Sequence, residues 1–302
     1  MNQVSIGVAI PTLNSEKYLE RCLAPLLASA LKPRILIIDS SSDDGTVVKA
    51  KSLGAEVVVI PRHEFNHGLT REKARKHLGT DIVIMVTADA IAEDQNVLEK
   101  LVQPIVEGKA SIAYARQLPH DGASFFEAFP RHFNYPEVSH MRSIDDLSFY
   151  GVYTFFCSDS CAAYLNRALD EVGGFQEVLL GEDTVATAML LRKGHHIAYQ
   201  AEARVKHSHA YTLVQEFQRY YDTGIARKQY GDLLNCESSD NKQGASYVSA
   251  MIKKLAQEKP LLLPYAFAQT LAKWLGYQLG RATINSPSWI KKIFSSQKFY
   301  WK

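Results

Sequence analysis

Two aspartates fifty residues apart each close an apolar run: Asp39 ends Ile35-Leu36-Ile37-Ile38, and Asp89 follows Ile82-Val83-Ile84-Met85-Val86-Thr87-Ala88. A short β-branched run that stops at a carboxylate has the pattern of a buried strand whose last residue emerges at the sheet edge. Ligands of open α/β sheets sit outside the carboxyl ends of such strands. A carboxylate there can accept from the N–H of a pyrimidine, and another can give one oxygen to Mg2+ or Mn2+ alongside substrate phosphates. The chemistry indicated is the handling of an activated, diphosphate-bearing molecule.

Other groups could serve the same chemistry, each with a plainer alternative. Pro11-Thr12-Leu13-Asn14 follows the first strand, where a base and ribose could rest, but it also reads as a simple turn. Asp39 to Thr46 reads as a nucleotide contact through Asp39, with Ser41 beside it, or as a capped turn feeding a helix. The ten residues from Arg62 to Arg71 hold two histidines and two arginines, and Arg71, in the first helical turn after a glycine, suits a phosphate. Gly181-Glu182-Asp183 puts two acids at a helix start, which the macrodipole favours in any case. A carboxylate there could also take the proton of an attacking hydroxyl. His207-Ser208-His209 sets two imidazoles on one face of an extended chain, fit for a metal or a diphosphate. His195-His196 and the Cys157/Cys161 pair read as structural.

These groups need a scaffold. Strands are expected over residues 4–10, 35–39, 57–60, 82–89 and 112–116, with helices near 16–30, 46–53, 70–78 and 96–107 between them. That alternation predicts a right-handed, mostly parallel wound α/β sheet flanked by helices. Residues 117–150 read as a long irregular segment and 153–165 as a strand running into a turn. Val172-Gly173-Gly174-Phe175 is a tight turn, a helix follows over 184–192, and a last strand spans 197–205. Helices near 211–230, 245–257 and 264–281 form the end. Residues 240–243 look like a linker, which divides the chain into a catalytic domain, 1–240, and a basic helical region, 241–302.

Charge supports that division. The chain carries a net +2, but from Lys242 onward there are ten basic residues and one acid, against 24 basic and 31 acidic before it. A basic end on an acidic body points to an anionic partner, lipid or nucleic acid. No nucleic-acid-reading module is visible, so nucleic acid is not expected. Leu261 to Leu279, interrupted by Pro264, Gln269 and Lys273, is too broken for a membrane span. It suits an amphipathic helix at a lipid surface, or a helix packed on the body. The start of the chain does not read as a signal peptide, and four cysteines (Cys22, Cys157, Cys161, Cys236) without paired spacing read as reduced thiols. The expected setting is cytoplasmic, at the inner face of the cell membrane.

Taken in order, these pieces over residues 5–230 resemble the inverting glycosyltransferases of family 2, with the GT-A fold. His63-Glu64-Phe65-Asn66-His67-Gly68-Leu69-Thr70-Arg71 resembles an element of bacterial rhamnosyltransferases, and Trp274 to Arg281, Lys291-Lys292 and Lys298-Phe299-Tyr300-Trp301 are similar to their tail. Leu69 stands where that element has a second glycine, and Ala88 where a polar residue is common. The resemblance implies displacement at the anomeric carbon of a nucleotide sugar, most specifically dTDP-rhamnose, by a hydroxyl of a glycan or lipid-linked acceptor. It implies donor contacts at Pro11, Thr12, Asn14, Asp39, Ser41, His67, Arg71 and Ala88. It further implies Mg2+ or Mn2+ at Asp89, His207 and His209, and Asp183 as base with Glu182 orienting it or the acceptor. The competing readings are a metal-dependent nucleotide-sugar hydrolase or nucleotidyltransferase, and a non-catalytic scaffold of the same fold.

Overall fold

The strands are β1 (Ile6–Thr12), β2 (Arg34–Asp39), β3 (Glu56–Val59), β4 (Ile82–Val86), β5 (Ile91–Ala92), β6 (Ile112–Leu118), β7 (His140–Arg142), β8 (Cys161–Leu165) and β9 (Ile197–Lys206). The first helices are α1 (Glu16–Leu27), α2 (Thr46–Ser52), α3 (His67–Leu78), α4 (Val97–Val106), α5 (Phe125–Asn134), α6 (Leu147–Tyr150) and α7 (Asn166–Glu171). They are followed by α8 (Glu182–Arg192), α9 (Leu213–Gln229), α10 (Gly231–Leu234), α11 (Asp240–Glu258), α12 (Leu263–Ala282) and α13 (Ser288–Phe294). This computed structural model describes residues 4–234 and 240–301. Residues 1–3 at the start and the Cys236 thiol lie outside the described residues; Cys22, Cys157 and Cys161 are buried free thiols.

Among the described residues the strands form one sheet in the order β3-β2-β1-β4-β8-β6-β9-β5, with β7 also on β9. Apolar runs such as Ile35–Ile38 send alternate side chains to opposite faces, and both faces are covered. Ile35, Ile37, Ile82 and Ile84 pack with Leu19, Leu23, Leu98 and Leu101 of α1 and α4. Leu36, Ile38, Val83 and Met85 pack with Ala74 and Leu78 of α3 and with Leu190 of α8.

The α/β architecture agrees with expectation, but the parallel part is narrower. β3, β2, β1 and β4 run parallel, whereas β8 is antiparallel to both β4 and β6, and β9 is parallel to β6. Hence β1, β2, β4, β6 and β9 share a direction. Their carboxyl ends and the amino end of β8 lie along one edge.

Other segments differ from the sequence reading for tertiary reasons. Within 117–150, expected to be irregular, α5 forms from a Ser124/Glu127 capping box and stays helical through Pro130. Its rings find partners far along the chain: Phe129 packs on Tyr247 and Phe126 on Tyr265. The strand expected from Tyr153 starts only at Cys161, because Gly151–Phe155 is a 3-10 turn. Buried Arg142 donates to the carbonyls of Tyr153 and Phe156 and so holds that backbone out of the sheet. β4 ends at Val86 rather than Asp89, and the Ala90 N–H donates to the Thr87 carbonyl in a turn. Residues 240–243, expected as a linker, belong to the start of α11.

The C-terminal helices pack on the body. Where α12 crosses α9, a Cβ at Gly276 or Gly280 would collide with the carbonyl oxygens of Phe217 and Tyr221, and one at Gly224 with that of Tyr277. Three glycines therefore allow backbone-to-backbone approach. Lys273 Nζ lies 3.3 Å from Glu216 Oε1 across the same crossing. Replacing Gly280 with leucine should destabilise the protein by roughly 3 kcal/mol through overpacking, read as a lowered urea midpoint at unchanged slope.

Candidate active site and metal cluster

The ends of β1 and β2 carry a preformed turn. Asp39 is fully buried and accepts from the Thr12 hydroxyl (2.8 Å), the Ser42 N–H (2.8 Å) and the Ser42 hydroxyl (2.6 Å). Of about four acceptor positions on a carboxylate, its own loop takes most. Pro11 and Thr12 sit in register with Ile38 and Asp39. Asn14 and Ser41 adopt positive φ of 50° and 56°. Asn14 Oδ1 accepts from the Asp43 N–H, which ties the two loops together, and the Ser41 hydroxyl donates to the Ile60 carbonyl just past β3.

Along the same edge, beyond β4 and β9, Asp89, His207 and His209 each place a ligand atom within 4.8 Å of the others. His207 Nε2 lies 3.6 Å from one Asp89 oxygen and His209 Nε2 lies 3.5 Å from the other. Ala88 is buried beside them. Burial, and then the neighbouring His209, push His207 well below the usual histidine range; burial also lowers His209, against the pull of Asp89. Both rings are thus neutral near pH 7, the form that binds metal. His207 Nδ1 stands 3.0 Å from Gln117 Oε1, an acceptor, which assigns the proton to Nδ1 and leaves the Nε2 lone pair free. The two Nε2 atoms are 2.9 Å apart, a contact that a shared cation or proton relieves. Two neutral imidazoles and a carboxylate converging on one point fit a divalent ion such as Mn2+.

A second cluster forms around Arg71. The first turn of α3 is capped by Asn66, whose Oδ1 accepts from the Gly68 and Leu69 N–H groups at 3.0 Å each. A Cβ at Gly68 would collide with the Gln176 carbonyl oxygen, so this glycine lets α3 dock against the 172–178 turn; Leu69, where a second glycine was the pattern, is exposed. Arg71, expected to hold a phosphate, is buried, with Nε 2.9 Å from Asp159 Oδ2 and Nη1 2.9 Å from Glu182 Oε1. His67 lies partly buried one helical turn earlier, and burial lowers its pKa.

Three carboxylates, the buried Asp159 and Glu182 and the half-buried Asp183, share that single guanidinium. Burial alone would raise Glu182, but Arg71 and then His67 hold it below the ordinary carboxylate range. Burial pushes Asp159 well up against the pull of Arg71, and Asp183 and Glu182 add to the rise. Asp183 is raised to about 6, by burial first and by the charge of Glu182 second. Its Oδ1 accepts from the Thr184 N–H at 2.6 Å, and its Oδ2 from the Asp159 N–H at 3.3 Å. A carboxyl poised near neutrality and held by backbone donors is suited to general-base work.

Asp183 is therefore tied to the amino end of β8, on the edge that carries Asp39, Asp89 and His207. Asp159, Tyr164, whose hydroxyl donates to Asp159 at 2.7 Å, and Gln117 were not singled out in the sequence. A signal existed: Asp159 precedes the apolar run Cys161–Leu165, the mirror image of an acid that closes a run. An antiparallel strand brings its beginning to the edge where parallel strands end.

Residues 7–173 match the family model for glycosyl transferase family 2. The O-antigen chain rhamnosyltransferase WbaN of Salmonella anatum is 37% identical over 270 residues, covering 89% of this chain and 86% of that protein. The O-antigen chain rhamnosyltransferase RfbN of Salmonella typhimurium is 35% identical, covering 99% and 96%. A mannosyltransferase from Pyrobaculum calidifontis, solved with GDP-Man and Mn2+, shares the fold with a TM-score of 0.64 at 14% identity, covering 95% of this chain and 88% of that one.

Removing the cation of the carboxylate cluster should be costly, because buried charges are left uncompensated. Arg71→Met is expected to lower the unfolding free energy by roughly 3–5 kcal/mol in chemical denaturation.

Proposed function

Because the chain belongs to glycosyl transferase family 2 and is a glycosyltransferase, we propose that it moves L-rhamnose from dTDP-rhamnose onto a hydroxyl of a cell-surface glycan built on a lipid carrier. The names of the two Salmonella relatives support the sugar and the type of acceptor. The observation that carries the chemistry is Asp183, a half-buried carboxylate raised to about 6 on the sheet edge that also bears Asp39 and the Asp89–His207–His209 cluster.

In this reading the Thr12–Asp39–Ser42 turn, with Pro11, Asn14 and Ser41, seats the nucleotide at the ends of β1 and β2. Asp89, His207 and His209 would hold Mg2+ or Mn2+, with Ala88 beside the donor. When bound, the ion neutralises charge growing on the departing diphosphate. Asp183 accepts the proton of the acceptor hydroxyl as its oxygen bonds to the anomeric carbon. The bond from that carbon to the diphosphate oxygen breaks, and its electron pair leaves with dTDP. Glu182, kept ionised by Arg71, stays out of proton transfer and orients Asp183 through their shared helix start. Arg71 and His67 act behind this layer.

The basic tail fits a peripheral contact with anionic membrane. Phe267, Leu271, Trp274 and Leu275 form an exposed stripe at helical spacing on α12, away from the glycine crossing, and Trp289 and Ile293 are exposed nearby in sequence beside Lys291 and Lys292. No helix among the described residues is long and apolar enough to cross a membrane. Co-sedimentation with vesicles containing anionic phospholipid should be lost in Trp274→Glu; equal recovery of both proteins would dismiss the contact.

The central test is a donor screen of dTDP-rhamnose, UDP-sugars and GDP-sugars, with and without Mn2+. Transfer from dTDP-rhamnose is expected to need the ion and to fall about 100- to 10,000-fold in Asp183→Asn. Since the base must be deprotonated and its pKa is raised, kcat/KM should drop as pH falls below about 6. Unimpaired Asp183→Asn would overturn the base, preference for UDP-sugars the donor, and dTDP release independent of acceptor the transferase reading in favour of a hydrolase.

A further inference from the structure

A cavity of about 360 Å³ opens beside His209, between the start of α5 and the α9–α12 pair, and no step above uses it. Its walls include three aromatic rings, Phe126, Tyr211 and Tyr265. Phe126 and Tyr265 stand 4.8 Å apart between centroids and tilted, and Tyr211 lies 5.3 Å from the His209 ring. Two buried polar side chains, Glu216 and Gln269, complete it. Gln269 Nε2 donates to Glu216 Oε1 at 3.0 Å, where Lys273 Nζ also lies. These bonds leave Glu216 Oε2 and Gln269 Oε1 as acceptors for hydroxyl groups.

We propose that this cavity is the acceptor-saccharide subsite; the assignment rests on the transferase reading above. A pyranose presents C–H faces and a rim of hydroxyls, which match ring faces and fixed acceptors respectively. The lining includes the carboxylates of Glu127 and Glu216 and, among the described residues, no lysine or arginine. With Lys273 paired to Glu216, the walls carry little net charge and suit a neutral sugar. The opening beside His209 places the sugar next to the metal cluster. The apolar surface of the tail adjoins the cavity: Leu262 lines it, and Leu261 before it is 93% exposed.

The experiment measures donor and acceptor constants separately on the full chain. Methyl and octyl hexopyranosides serve as acceptor probes, with binding read by saturation-transfer NMR and turnover by dTDP release from dTDP-rhamnose. Tyr265→Ala and Tyr211→Ala are expected to weaken the acceptor about ten-fold, as KM or as NMR Kd, while dTDP affinity stays within about two-fold. The loss should be equal for methyl and octyl forms of one sugar, since the ring contact and not the alkyl chain is removed. Near-UV circular dichroism checks folding, and Tyr265→Leu, which keeps volume but not the ring, replaces any variant that unfolds. Unchanged acceptor constants in folded variants, loss of dTDP affinity instead, or a wild type that binds dTDP but none of the probes would overturn the subsite. A wild type that binds none of dTDP, UDP and GDP would sink the transferase reading, because the nucleotide turn lies at the ends of β1 and β2 and not in this cavity.

Discussion

One guanidinium organises the carboxylate cluster of this molecule. Arg71 comes from α3, Asp159 from the segment leading into β8, and Glu182 from the start of α8. Buried charges persist only when paired, so these elements are bound to a common point. The pairing is incomplete, with one cation facing three carboxylates. The surplus negative charge, added to burial, lifts Asp183 toward neutrality while Glu182 remains ionised. A structural ion pair and a carboxyl raised to about 6 thus have the same origin. The docking of α3 that permits it depends on a residue without a side chain, since a Cβ at Gly68 would strike the Gln176 carbonyl oxygen.

The Asp89–His207–His209 cluster is built on a different principle. Here burial lowers the histidines rather than raising an acid, and a side-chain amide, Gln117, selects the tautomer of His207. The two clusters belong to one edge because of strand direction. β8 runs against β4, so its beginning, with Asp159, meets the ends of the parallel strands. The Gln117 side chain also donates to the Ser158 hydroxyl at 2.7 Å, one residue before Asp159, which links the histidine side to the carboxylate side.

The tail supplies a wall rather than a detached appendage. Three glycines let α12 approach α9 at backbone distance, and Tyr247 and Tyr265 cover the rings of α5. That packing encloses the aromatic cavity beside His209. It also turns the remaining apolar residues of α12 outward, so the amphipathic pattern of the sequence describes two different contacts on one helix.

The parallel half of the sheet was legible from residue order. Apolar runs of strand length, helical spacing between them and an acid at each relevant end specified β1 to β4 and the turn at Asp39, because parallel strands buried on both faces write continuous runs into the chain. The Gly181-Glu182-Asp183 start and the His207/His209 pair were visible as residue types. What tertiary structure alone decided was which charges meet. Arg71 looks like a phosphate ligand until α8 and β8 bring carboxylates to it, and Asp159 carries no mark until an antiparallel strand is turned to face the same edge. Helix α5 looked irregular because its partners lie more than a hundred residues away, in α11 and α12. Local order records which groups a strand or helix will display; it does not record long-range pairing, and pairing is what sets burial, ionisation and the shape of a site.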